Sequence, residues 1–200
     1  VTDPTPPPTP SPTPEELFSE LNPPYSTIVA DPPWRYKSDG RMVTSANKPS
    51  TNPSPNARYS TSTSIELASL PVAGLAATNA HLYCWTTNPI LPEAFALVEA
   101  WGFQYVTLLT WRKLGTLGMG YYFRGDTEHV LFAVKGKLPI PPADRKRNWF
   151  EARKTGHSIK PPSFFDLVES VSPGPYVELF ARQPRLGWDA WGHGYESQAS

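Results

Sequence analysis

Asp31-Pro32-Pro33-Trp34 is the stretch of this chain whose residue types most plainly allow chemistry. It follows directly on the apolar run Thr27 to Ala30. An acid, two stiff prolines and a flat aromatic are thereby set at the carboxyl end of an expected strand, where open α/β sheets place their ligand sites. A carboxylate and a main-chain carbonyl that both accept hydrogen bonds from an aromatic amino group return electron density to its nitrogen. Adenine's exocyclic nitrogen, whose lone pair is delocalised into the ring, needs that help before it can take a methyl group. Proline suits the carbonyl role because a stiff backbone without a donor presents its oxygen in a fixed direction. Trp34 suits stacking on an extruded base, an interaction worth about 1–3 kcal/mol. The same four residues also read as a turn with a tryptophan packed beneath it.

The elements that must position this stretch follow an α/β pattern, short β-type runs alternating with helical stretches, which builds a sheet with helices against both faces. Candidate strands are Thr27 to Ala30, His81 to Thr86, Gln104 to Trp111, Glu128 to Val134 and Pro175 to Ala181, most of them nearly continuous apolar runs suited to burial on both sides. Thr63 and Glu66 have capping-box spacing and predict a helix from about Ser64, ended or offset by Pro71. Pro92 predicts a second helix that runs through Trp101 and stops at Gly102, and Pro161 or Pro162 a third, closed by Pro173 and Gly174. Three long connections remain: Trp34 to about Thr63, Arg112 to Thr127, and Lys135 to about Lys160. Connections of this length are usually functional or disordered.

Composition bounds the rest. Two hundred residues suit one domain with a tail. Proline makes up 25 of them, and the seven between Pro4 and Pro14 prevent helix and sheet. Residues 1–16 are therefore expected to be a solvated tail, either a linker or a docking site for a proline-recognising module, with the folded domain over residues 17–200. No apolar run is long enough to cross a bilayer. No secretory signal is recognisable, and the single cysteine, Cys84, excludes an internal disulfide, so a cytoplasmic setting is expected. The balance of 18 basic and 18 acidic residues conceals a local excess: from Arg112 to Lys160 eleven Lys or Arg face four Asp or Glu. That segment suits a phosphate backbone, or is a solvated basic loop. Tyr36, Tyr121, Tyr122 and Arg124 lie on or beside the long loops, where they either meet nucleotides flanking a target base or pack locally. His81, His129 and His157 lack the spacing of metal ligands, so no metal is expected, and Cys84 reads as a small buried apolar residue.

Beyond the single motif, the chain resembles the adenine-specific amino methyltransferases that carry an Asp-Pro-Pro-Trp motif, the family of the catalytic subunit of the eukaryotic messenger-RNA adenosine methyltransferase and of many bacterial and phage enzymes. YSTIVADPPWRY, HLYCWTTN, WGFQYVTLLTWRK, GYYFRGDTEHVLFAVKG, HSIKPP and SPGPYVELFARQPRLGWDAWG resemble that family's blocks in the same order, over nearly all of residues 25 to 195. The resemblance implies a Rossmann-like sheet in permuted order, with the catalytic motif ahead of the cofactor segment, and S-adenosylmethionine as methyl donor. It assigns Asp31, Pro32, Pro33 and Trp34 to catalysis, with Asp31 also near the cofactor. Lys160 would contact the cofactor or the catalytic loop, and Glu178 and Arg182 its ribose and carboxylate. Substrate contacts would come from Trp34, Tyr36, Tyr122 and Arg124. Where the family commonly has Gly-Asn followed by Gln or Glu, this chain has Gly192, His193, Gly194, Tyr195 and Glu196. His193 can replace an amide, since neutral imidazole offers one donor and one acceptor, whereas Gly194 cannot. The implied partner is nucleic acid, DNA ahead of RNA, with a homodimer or partner subunit left open. A catalytically silent relative that binds nucleic acid or scaffolds a partner is the competing reading, which the altered end favours and the intact Asp-Pro-Pro-Trp opposes.

Overall fold

A computed structural model of the protein describes residues 18–35, 63–115, 117–118, 122–154, 156 and 159–192. The expected tail, most of the connection from Trp34 to Thr63, Tyr36, Tyr121, His157 and His193 to Glu196 lie outside the described residues.

The strands are β1 (Tyr25–Ala30), β2 (Ala76–Thr86), β3 (Gln104–Leu114), β4 (Thr127–Lys135), β5 (Trp149–Arg153), β6 (Tyr176–Leu179) and β7 (Trp188–Trp191). They form one seven-stranded sheet in the order β5-β3-β4-β2-β1-β6-β7. Only β4 is antiparallel to its neighbours, β2 and β3, and every other described pairing is parallel. Among the described residues the α-helices are α1 (Ser64–Ala68), α2 (Val72–Leu75), α3 (Leu91–Ala100) and α4 (Pro162–Glu169). This is a mixed α/β architecture consistent with the Rossmann-like methyltransferase fold, and the strand leading into Asp-Pro-Pro-Trp is the first of the described strands.

Helix starts and stops follow the local signals. Thr63 caps α1 and forms the full capping box with Glu66. Pro92 occupies the first turn of α3, and Gly102 beyond its end has φ +79°, the left-handed conformation that glycine adopts without steric cost. α4 ends at Glu169 with Ser170 as its cap, ahead of Pro173. β5 and β7 were not among the expected strands. β5 lies at the sheet edge and alternates exposed with half-buried residues, and β7 is four residues long, so neither shows the apolar run of a central strand.

Two cores sandwich the sheet. On one face Ile28, Leu82, Cys84 and Leu131 pack with Leu67 of α1 and Ala94, Leu97 and Val98 of α3. On the other, Val29, Tyr83, Trp85, Trp111 and Val130 pack with Phe164, Phe165 and Val168 of α4. The alternation along each strand assigns residues to faces. Cys84 is fully buried, and burial drives its thiol pKa well above the usual range, in keeping with an apolar role. His81 is likewise structural. Burial lowers its pKa, its Nε2–H donates to Leu138 O (2.7 Å), and Nδ1 accepts from Ser172 Oγ (2.7 Å).

Leu82, fully buried in a central strand, sets the scale of core packing. Leu82→Ala should cost about 2–5 kcal/mol in denaturant unfolding, the range for a leucine cavity that relaxes only in part. A loss below about 1 kcal/mol would contradict this packing.

Candidate active site

Strand register brings the chemistry together. Val29 is opposite Glu178 on β6 and Tyr83 on β2; Trp85 is opposite Val130 on β4, and Trp111 on β3 is opposite Glu128. With side chains alternating between faces, Asp31, two residues beyond Val29, shares the α4 face with Glu178, Trp85, Glu128, Trp111 and Lys113. Because β4 is reversed, its first residues stand at the edge where β1, β2, β3 and β6 end. That reversal puts Glu128 beside the Asp31 end of the sheet. Lys160 comes just before Pro161, the N-cap of α4, and so hangs over the same edge.

The result is a linear chain of alternating charge. Lys160 Nζ lies 3.0 Å from Asp31 Oδ1 and 3.2 Å from Glu128 Oε2, and Lys113 Nζ lies 2.6 Å from Glu128 Oε1. The Lys160 ammonium also sits over the Trp85 ring, 4.7 Å from its centroid. The Lys160 side chain is 12% exposed and that of Asp31 16%. Burial alone would lower the Lys160 pKa, but its two carboxylate partners hold it above the ordinary lysine value. Burial would likewise raise Glu128, and Lys160 and Lys113 together keep it below the ordinary carboxylate value. Lys160 and Glu128 are thus both ionised near neutral pH.

Asp31 opens onto a cavity of about 330 Å³ lined also by Lys160, Pro162, Phe165, Glu178, Phe180, Arg182 and Arg185. Two carboxylates, a lysine, two guanidiniums and two phenyl rings make it amphoteric. Arg185 lies over the Phe165 ring, 4.0 Å from its centroid. Glu178 is pushed up to about 7, chiefly by burial and then by the Asp31 charge, with Arg185 and Lys160 opposing the shift. A larger groove of about 640 Å³ is lined by Val106, Leu109, Phe132 and Val134 with a basic rim at Lys137 and Arg145 to Arg147. It faces the opposite end of β3 and β4 and holds no carboxylate.

The Asp-Pro-Pro-Trp stretch is a tight turn. Trp34 N–H donates to Pro32 O (2.8 Å), and Asp31 N–H donates to Leu179 O (3.3 Å). Trp34 Nε1–H donates to Trp85 O (2.9 Å), and the ring is 7% exposed in the core beneath α1 and α3. Most of its faces are therefore covered by protein. Pro32 is buried and Pro33 half-buried. Of the other expected site residues, Asp31, Lys160, Glu178 and Arg182 converge on the cavity, whereas Tyr122 and Arg124 are exposed on the β3–β4 connection. Tyr36 and His193 lie outside the described residues.

Sequence reasoning missed Glu128, Lys113 and Arg185. Period-two counting from the buried Trp111 and Val130 would have put Lys113 and Glu128 on one face, but nothing local announces that β4 runs backwards. His129 turns to the other side of its strand, donating from Nε2 to Asn88 Oδ1 (2.8 Å), with burial lowering its pKa. Among the described residues no group of three or more His, Cys, Asp or Glu could hold a metal ion, and no helix is long and apolar enough to cross a membrane.

The fold is consistent with a methyltransferase domain, and comparison with known proteins gives the family. The chain belongs to the MT-A70 family, whose model matches residues 25–194. It is 34% identical over 190 residues to the Type II methyltransferase M.MunI of a Mycoplasma species, covering 89% of this chain and 81% of that protein. It is 29% identical over 189 residues to the human N(6)-adenine-specific methyltransferase METTL4, covering 84% of this chain but 37% of METTL4. The N6-methyladenosine RNA methyltransferase MTA1 of Cryphonectria parasitica is 29% identical over 195 residues, covering 88% of this chain and 53% of MTA1. The chain is a methyltransferase.

Glu178 makes a pH prediction. Its pKa rises from 4.5 to about 7 on folding, so between those values the native state holds a proton that the unfolded chain has released. Stability then falls as pH rises through that window. Urea unfolding from about pH 5 to about pH 8 should show the stability of Glu178→Gln gaining steadily on that of the wild type. A constant difference between the two proteins would contradict the buried acid.

Proposed function

We propose that this chain transfers a methyl group from S-adenosylmethionine to the exocyclic N6 amino nitrogen of adenine in DNA. The observation that carries this reading is the Asp31 carboxylate, held by Lys160 at the mouth of the cavity, in an MT-A70 chain whose Asp-Pro-Pro-Trp motif is intact. Lys160 takes one carboxylate oxygen. The other is the one we assign to accept one hydrogen of the adenine amino group. Pro32 O, fixed by the Trp34 N–H, has a second lone pair for the other hydrogen. Held between two acceptors, the amino nitrogen keeps its electron density out of the ring and attacks without a covalent enzyme intermediate. Positioning and charge stabilisation supply the catalysis. The proton shed by the methylated nitrogen passes to Asp31 or to water.

The cavity suits the cofactor. S-adenosylmethionine, when bound, supplies an electrophilic methyl group on a positively charged sulfur. Arg182 and Arg185 suit its carboxylate, Glu178 its ribose hydroxyls, and the Phe165 and Phe180 rings its apolar parts. Trp34, buried and tied to Trp85 O, serves by fixing the turn beneath the base rather than by offering a free stacking face. The preference for DNA rests on the greater likeness to M.MunI, at 34% identity over 81% of that protein, than to the RNA methyltransferase MTA1, at 29% over 53%. The setting we assign is the cytoplasm of a bacterial or phage-infected cell.

Incubation with isotopically labelled S-adenosylmethionine and matched DNA and RNA should label DNA, with N6-methyladenine recovered on nucleoside digestion. Asp31→Ala should lower the rate by about a hundredfold or more while circular dichroism stays unchanged. Undiminished activity in that variant would remove Asp31 from the mechanism. Label on RNA alone would overturn the choice of DNA. Label on neither, with nucleic-acid binding retained, would favour a silent relative.

A further inference from the structure

The connection between β3 and β4 carries two adjacent aromatic rings in full contact with solvent. Tyr122 is 95% exposed and Phe123 91%. The base of this connection is built. Lys113 N–H donates to Asp126 O (2.7 Å), Gly118 N–H to Gly125 O (3.0 Å), and Arg124 Nε–H to Gly118 O (3.0 Å). At Gly118 a Cβ would stand 2.1 Å from Gly125 O, so the two strands of the neck approach as closely as glycine alone allows. Arg112 braces it from the side, 2.7 Å from Glu151 and 3.6 Å from Asp126. The neck rises from the reactive edge itself: Lys113 is its last anchor on β3, and Glu128, two residues beyond Asp126, holds Lys160 and through it Asp31.

Asp31 is 16% exposed in the wall of a cavity of about 330 Å³, so an adenine inside a duplex reaches it only by leaving the base stack. Extrusion opens a gap of one base's thickness, and an apolar side chain inserted there keeps the gap from closing. A ring offered as a stacking wedge must be flat, apolar and free of packing duties in the protein. Phe123 meets all three conditions, and Arg124 next to it supplies a positive charge of the kind that suits the phosphates flanking the gap.

We propose that Phe123 is the wedge that occupies the place of the extruded adenine, with Tyr122 stacking beside it, so that these residues hold the target base out of the duplex and contribute nothing to the transfer step. The proposal rests on the DNA reading given above. It makes Phe123 a positioning residue whose work is needed only when the adenine must be pulled from a pair.

The test uses the full chain. PCR-amplified plasmid DNA, methylated by the wild type and mapped, supplies the target adenine. Two oligonucleotide duplexes are then compared, one with that adenine paired to thymine and one with it facing an abasic site, where extrusion is easier. Phe123→Ala should lose about tenfold or more in kcat/KM on the paired duplex and recover most of it on the abasic one, while Phe123→Trp stays near the wild type on both. Cofactor binding by Phe123→Ala should match the wild type, since Phe123 is 91% exposed and does not line the cavity at Asp31. Equal activity of Phe123→Ala and wild type on the paired duplex, or an equal loss on both duplexes, overturns the wedge and leaves the proposed function standing. A wild type that methylates no adenine in any DNA overturns both.

Discussion

One buried cation organises this protein's reactive edge. The Lys160 ammonium, removed from most water contact, sits within 3.2 Å of both Asp31 and Glu128, and Glu128 is shared with Lys113. Taking such charges out of water costs several kcal/mol per ion, so the arrangement persists only because each charge has an opposite neighbour. Two lysines and two carboxylates balance to zero along the chain. Glu178 stands outside that balance, and burial first, then the nearby Asp31 charge, raises its pKa.

The sheet makes this pairing possible by one departure from a parallel order. If β4 ran with its neighbours, Glu128 would begin at the far end of the sheet and Lys160 would meet Asp31 alone. Reversing β4 places the amino end of one strand among the carboxyl ends of the others, and the long β3–β4 connection becomes part of the same edge. Consecutive prolines at 161 and 162 then start α4 immediately after Lys160, which limits where the lysine's backbone can go. Rigidity on both sides, from this start and from the Pro32-Pro33 turn, holds donor and acceptor at fixed separation.

Much of this was legible from residue types and spacing. Asp31 at a strand end, the capping box at Thr63 and the proline-to-glycine span of α3 are local signals, and the structure bears them out because each arises within a few residues of chain. The family resemblance carried Lys160, Glu178 and Arg182 to one site, where the cavity brings them together. What local reading missed depends on partners distant in sequence. Glu128 and Lys113 acquire meaning only from the orientation of β4, and β5 and β7 are strands because an edge of the sheet is available to them. By type and position Trp34 suits either stacking on a base or packing beneath a turn, and only its tertiary partner decides: its NH finds Trp85 O, 51 residues away, and the ring is drawn into the core. Exposure of Phe123 is likewise a tertiary fact, since the same apolar type could equally have been core.

The claim on which the account depends is that Lys160 stays charged between two carboxylates, and direct titration of its ammonium tests it. With 15N-labelled lysine, NMR should follow Lys160 to a midpoint above the ordinary value of about 10.4, and Glu128→Gln should bring that midpoint down. A midpoint below the ordinary value in the wild type, as desolvation without partners would produce, would contradict the charged bridge and the geometry it gives Asp31.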